Sequence, residues 1–146
     1  LNDGRCDASG RFWVGSYDVE ERQPFGALYR VDADLAVTCV ADGVICGNGL
    51  DWSPDGAAFY FTDSTRGTIT RYDVRDGEAV DPRPFARDEG MSPDGLAVDE
   101  EGFVWSAKWD GWRIVRYAPD GSVRARSCGP FRSGNHAPRH MGPHNR

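Results

Sequence analysis

Three short polar–glycine turns recur along this chain at a nearly constant interval. Asp3-Gly4, Asn48-Gly49-Leu50 and Asp94-Gly95-Leu96 place their glycines 45 and 46 residues apart. Gly10, Gly56 and Gly102 follow, again at intervals of 46. An aromatic cluster comes after each: Phe12-Trp13, Phe59-Tyr60-Phe61 and Phe103-Val104-Trp105. Each unit then closes on an Arg/Tyr-rich stretch, namely Tyr29-Arg30-Val31-Asp32, Arg71-Tyr72-Asp73 and Arg116-Tyr117-Ala118. A period in the forties that holds several short strands is the mark of a β-propeller blade. Such an array turns its blade-start loops toward one central channel, so polar side chains far apart in sequence can meet there.

Local chemistry agrees with strands throughout residues 1–126. Stretches such as Ala27–Val31, Ala57–Thr62 and Thr68–Tyr72 are short and rich in aromatic and β-branched residues. Tight-turn signals separate them, among them Ser53-Pro54-Asp55-Gly56, Arg75-Asp76-Gly77 and Pro119-Asp120-Gly121, where Gly supplies positive φ and Asp bonds nearby backbone N–H groups. No long window carries a helical apolar stripe. The expected fold is all-β: about three four-stranded blades of a six-bladed β-propeller, an incomplete ring. The chain of 146 residues opens at Leu1 inside the first repeat, with no initiator Met, and reads as a segment of a longer protein.

A net charge of −6 argues against a nucleic-acid partner, which needs a basic face. No apolar run approaches the ~18 residues that span a bilayer, so a soluble, cytoplasmic protein without a membrane partner is expected. Cys6, Cys39, Cys46 and Cys128 show no Cys-x-x-Cys pair, which disfavours zinc fingers. Cys39 and Cys46 stand in apolar stretches and are expected to be buried, reduced thiols. Residues 127–146 differ in character: they hold all three histidines and three of nine prolines, and no Asp or Glu. They are expected to form a divergent, disordered tail, and an out-of-frame product of a GC-rich gene is the favoured origin. The four-residue spacing of His136, His140 and His144 would align a metal site on a helix, but Pro138 and Pro143 oppose that helix.

The strings Asn2-Asp3-Gly4, Asn48-Gly49-Leu50-Asp51-Trp52-Ser53 and Pro93-Asp94-Gly95-Leu96 together resemble the SMP-30/gluconolactonase family, which includes regucalcin and bacterial sugar lactonases. Tyr60-Phe61-Thr62-Asp63-Ser64 and Gly111-Trp112-x-Ile114-x-Arg116 extend the likeness, which covers residues 1 to about 124. The resemblance implies a propeller with one divalent metal on its axis, and hydrolysis of aldonolactones. It implies that Asn48 and Asp94 are metal ligands, that Asp94 is also the catalytic base, and that Asn2 contacts substrate. Glu20 falls where some members hold sugar hydroxyls, with Asp18 or Glu21 as alternatives in the variable loop Tyr17–Pro24. A third ligand, a Glu from an N-terminal blade, has no counterpart here, and the Arg two positions before Asn2 would lie upstream of Leu1.

A carboxylate and an amide oxygen suit a hard cation: Ca²⁺ first, with Zn²⁺, Mn²⁺ or Mg²⁺ as alternatives. The expected partner is a small sugar lactone, and the chain as given is expected to be inactive alone. As bare dipeptides, Asn-Gly and Asp-Gly read equally as ordinary turns. Asp51, Asp55, Asp63, Asp73, Asp99 and Asp120 read as turn caps or strand-end carboxylates, and Trp13, Trp52 and Trp105 as core between blades. No Gly-x-Ser-x-Gly or Ser/His/Asp set is present, which disfavours a serine hydrolase. The alternative function is a non-enzymatic calcium-binding or interaction propeller, and a paraoxonase- or strictosidine-synthase-type propeller is a third.

Overall fold

The computed structural model describes residues 1–128. They form three sheets of four strands. The first holds β1 (Gly4–Cys6), β2 (Phe12–Gly15), β3 (Gly26–Val31) and β4 (Val37–Val44). The second holds β5 (Gly47–Trp52), β6 (Ala58–Asp63), β7 (Thr68–Arg75) and β8 (Glu78–Arg87). The third holds β9 (Ser92–Val98), β10 (Val104–Trp109), β11 (Arg113–Tyr117) and β12 (Val123–Cys128). Each sheet is an antiparallel meander whose strands pair in chain order. This is the expected array of three blades, and β12 runs two residues past the boundary placed at 126. The remainder of the expected tail, with its three histidines, lies outside the described residues. No helix among the described residues is long and apolar enough to cross a membrane.

Strand pairing fixes the repeat register more finely than glycine spacing does. Trp13 lies opposite Arg30, Tyr60 opposite Arg71, and Trp105 opposite Arg116. These three aromatics are therefore equivalent, and the second blade carries one extra residue between its turn glycine and that position. The residue before each of them points to the other face, because side chains alternate along a strand.

That alternation builds the core. All six residues of β6 are buried, since its sheet is covered on both faces. Phe59 and Phe61 pack toward the first blade with Trp13, Leu28 and Leu50. Ala58 and Tyr60 pack toward the third with Leu96, Val104 and Tyr117. The Trp13 and Phe59 rings meet at 5.1 Å between centroids, and the Trp13 and Trp52 rings edge to face at 5.6 Å. Truncating a fully buried aromatic such as Phe59 to Ala costs roughly 3–5 kcal/mol.

The strand β10 differs, because Val104, Ser106 and Lys108 are buried while Trp105, Ala107 and Trp109 are exposed. Trp105, expected in the core between blades, is 39% exposed, since no element among the described residues covers that face. Its indole instead donates to Asp99 at 2.7 Å. Cys39 also departs from expectation, being exposed on the outer strand β4, whereas Cys46 is buried.

The first strand of each blade lies innermost, with β5 against both β1 and β9. The approach of β5 to β9 is close enough to dictate sequence. A Cβ on Gly49 would stand 2.3 Å from the Leu96 amide nitrogen and 2.6 Å from the Asp94 carbonyl oxygen. Any other residue there would push the two strands apart. Gly15, at the end of β2, and Gly47 make another close contact, between the first and second blades.

Candidate functional site

The inner strands begin at one end of the array, and a polar cleft of about 260 Å³ opens there. Asn2, Asn48 and Asp94 line it together with Glu21, Ser64 and Trp109. Asn48 and Asp94 are brought together by the Gly49 approach, which sets their backbones side by side. Asn2 is held by its own backbone N–H to the Gly15 carbonyl at 2.8 Å, and by its side-chain amide donating to the Gly47 carbonyl at 3.0 Å. The amide nitrogen is thereby committed to β5, leaving its oxygen as the end without a hydrogen-bond partner among the described residues.

Buried polar groups hold the backbone around this cleft. Asp63, at the end of β6, accepts the backbone N–H groups of Ile45 at 3.0 Å and Cys46 at 3.2 Å, fixing the entry to β5. Lys108 is the only lysine of the chain, and its ammonium donates to Asp88 at 2.5 Å and to the Ser106 hydroxyl at 2.9 Å. Tyr117 donates to the other Asp88 oxygen at 2.8 Å. Burial lowers the Lys108 pKa, and the Asp88 carboxylate opposes that fall. The Tyr117 phenol is pushed up, by burial first and then by Asp88. This cluster ties the segment between β8 and β9 to β10, and so steadies the strand start that carries Asp94.

The Cys46 thiol forms part of the cleft wall and is raised to about 11. Burial is the largest cause, followed by the negative charge of Glu21, Asp63 and Asp94. At neutral pH it is a protonated, unreactive thiol, and the carboxylates around it make the cleft electronegative. The Ser64 hydroxyl is buried with no hydrogen-bond partner of normal geometry among the described residues, although it lies near enough to the thiol to lower its pKa.

Glu20 stands apart from this arrangement. It is exposed and ion-paired with Arg22, and it does not line the cleft. Its neighbour Glu21 does, and receives a long contact of 3.4 Å from the Thr65 hydroxyl. The loop turns at Glu21, whose φ is +52°, so adjacent carboxylates face different ways. Ser64 and Cys46 were missed as site residues in the sequence. Ser64 directly follows β6 as Trp109 ends β10, and counting four residues on from the equivalent Tyr60 and Trp105 finds both.

The residues present fit a hard divalent cation. The cleft offers an amide oxygen, carboxylates and an unpartnered buried hydroxyl, all oxygen donors of the type such ions take. No group of three or more His, Cys, Asp or Glu residues clusters to hold a metal among the described residues. Any ion here would therefore rest on a mixed set in which Asn48 counts.

A family model described as the SMP-30/gluconolactonase/LRE-like region matches residues 1–135. The chain belongs to this family. Within it, an L-arabinolactonase of Azospirillum brasilense is 45% identical over 127 residues, covering 83% of this chain and 42% of the relative. A 6-deoxy-6-sulfogluconolactonase of Pseudomonas putida is 42% identical over 127 residues, covering 84% and 44%. A solved calcium-binding protein, regucalcin from Agrobacterium tumefaciens, superposes with a TM-score of 0.78 at 29% identity, covering 85% of this chain and 43% of its own. The chain spans about two fifths of the length of the curated relatives it matches. The cleft that in this chain joins three blades is thus described for a region that these SMP-30/gluconolactonase relatives share.

Proposed function

We propose that this chain carries the base and two metal ligands of a sugar-lactone hydrolase. The observation that carries the reading is the forced approach of β5 to β9 at Gly49, which sets Asn48 beside Asp94 in one electronegative cleft. The lactonase names of its family relatives support the substrate class. Asn48 and Asp94 would hold a divalent cation, Ca²⁺ first, and the regucalcin likeness supports a cation of that kind. Such an ion supplies Lewis acidity to the lactone carbonyl.

The chain's own groups do the rest. Asp94 accepts a proton from the attacking water and can return it to the departing ring oxygen, so the carboxylate is regenerated within one turnover. Asn2, with its amide nitrogen committed to Gly47, presents a fixed oxygen to sugar hydroxyls. Glu21 is the carboxylate on the cleft wall suited to hold further hydroxyls, and it replaces Glu20 in that role. Cys46, protonated at neutral pH, takes no covalent part.

Ion binding is the deciding measurement, because two ligands hold a cation weakly and turnover by this chain alone is expected at background. Calorimetry with Ca²⁺, Mn²⁺, Zn²⁺ and Mg²⁺ is expected to show binding that weakens in Asn48→Ala and is lost in Asp94→Ala. Proton release from gluconolactone reports any turnover above background. Binding unchanged in both variants, or lactone opening that survives Asp94→Ala, would overturn the assignment. Binding without turnover in a protein carrying the complete ligand set would instead favour a calcium-binding propeller.

A further inference from the structure

The cleft beside Asn48 and Asp94 continues outward. A second polar cleft of about 380 Å³ adjoins it, and Ser64, Thr65, Ser92 and Trp109 line both. Together they form one trough, with Asn2, Asn48 and Asp94 in its inner half and Arg66, Asp88 and Asp110 in its outer half. The outer half is built from the turn between β6 and β7, the segment between β8 and β9, and the turn between β10 and β11. It therefore lies over the junction of the second and third blades, which cover each other. The Asp88 backbone N–H donates to the Gly67 carbonyl at 2.8 Å, and the Gly67 N–H to the Ser64 carbonyl at 3.1 Å. A Cβ on Gly67, whose φ is +67°, would stand 2.7 Å from the Asp88 carbonyl oxygen, so glycine alone permits that closeness. Lys108 and Tyr117 hold the Asp88 side chain from β10 and β11. These bonds fix the walls before any ligand arrives.

The lining chemistry differs between the two halves. Glu21 and Asp94 leave the inner half electronegative. In the outer half Lys108 neutralises Asp88, and the Arg66 guanidinium balances Asp110. Arg66 is held loosely, with its Nε 3.7 Å from Asp63, too long for a hydrogen bond, so its N–H groups can turn to a ligand. Ser64, Thr65 and Ser92 line the passage with Trp109 where the halves meet. A charge-balanced, hydroxyl-rich hollow with one aromatic plate suits a sugar ring, whose C–H face packs on the indole while its hydroxyls bond the rim. A phosphate or sulfonate would face Asp110 and the negative inner half with one guanidinium to hold it. We propose that this trough takes an aldonolactone carrying a second, uncharged sugar ring: the lactone beside Asn48 and Asp94, the glycosyl ring between Arg66 and Trp109. The place of the lactone rests on the lactonase reading, whereas the outer ring binds without metal or base.

The test uses the 146-residue chain, isotope-labelled for NMR, with no metal or lactone present. Methyl β-glucoside is expected to shift the Trp109 indole N–H and the Arg66 and Gly67 amides. Methyl β-cellobioside, with two rings, is expected to shift those and the Asn48 amide, and to bind about tenfold more tightly. Arg66→Ala, at a side chain 47% exposed, is expected to weaken both sugars about fivefold with the β-sheet circular dichroism unchanged. No shift at Arg66, Gly67 and Trp109, equal affinity for one ring and two, or affinity unchanged in Arg66→Ala would overturn the proposal. So would tighter binding of glucose 6-phosphate than of the neutral glucoside. Failure of the lactonase reading shows elsewhere, as cation binding that survives Asp94→Ala, and leaves these titrations unaffected.

Discussion

Asp94 and Asp99 stand five residues apart, about 17 Å along an extended strand, near the two ends of β9, and their surroundings are opposite. Asp99 accepts the backbone N–H groups of Glu101 and Phe103, the Trp105 indole and two bonds from the Arg116 guanidinium. Its carboxyl is held down at about 2: partial burial pushes it up, but the Trp105 and Arg116 bonds, the Phe103 N–H and the Arg116 charge outweigh that. Asp7 repeats the device in the first blade with Ser9, Arg11 and Trp13. No side-chain hydrogen bond or ion pair among the described residues holds Asp94, which faces the cleft with Asn48. A carboxylate saturated by its own blade belongs to the fold. One left bare where three strands converge is available for a ligand.

The contrast is broken most severely where a buried carboxylate loses its only cation. Lys108→Ala leaves Asp88 buried and uncompensated, and is expected to destabilise the protein by ~3–5 kcal/mol. Urea unfolding checks this, and a loss below ~1 kcal/mol would mean water already reaches that pair. At the other end of β9, Asp94→Ala is expected to cut lactone opening by about 100-fold or more in a protein carrying the complete ligand set, and to leave the thermal midpoint of this chain within about 2 °C of the parent. A large drop in midpoint would place Asp94 with the structural carboxylates and erase the distinction.

Acid sharpens the comparison further. The Asp99 pKa is lower folded than unfolded, so its contribution is fully present above the unfolded value near 3.8 and is lost as pH falls toward about 2. Asp99→Asn is therefore expected to lower stability at neutral pH and to converge on the parent between pH 4 and 2. Parallel pH profiles for the two proteins would contradict that origin. The smallest effect is expected from Ser64→Ala, which removes a buried hydroxyl with no hydrogen-bond partner of normal geometry among the described residues. Stability should stay within ~1 kcal/mol or rise slightly, while divalent-ion affinity measured by calorimetry falls if the hydroxyl is turned to an ion.

The sequence by itself determined the repeat, the strand class and the family, because these rest on local chemistry. Glycines at positive φ, alternating aromatics and Asp-capped turns act within a few residues, and they read correctly at Gly10, Gly56 and Gly102. The resemblance, not the repeat, named Asn2, Asn48 and Asp94, since repeat position alone sets Asp3 in register with Asn48 and Asp94. Tertiary structure decided the rest, because burial and facing depend on what lies across a gap. Trp13 and Trp105 share a motif, yet only one is covered by a neighbouring blade. Glu20 and Glu21 are adjacent in a loop with no periodicity, and only the turn at Glu21 decides which carboxylate meets the cleft. Gly49 looks like any turn glycine in the sequence. Only the 2.3 Å approach of β9 shows that it is the residue that lets Asn48 and Asp94 share one site.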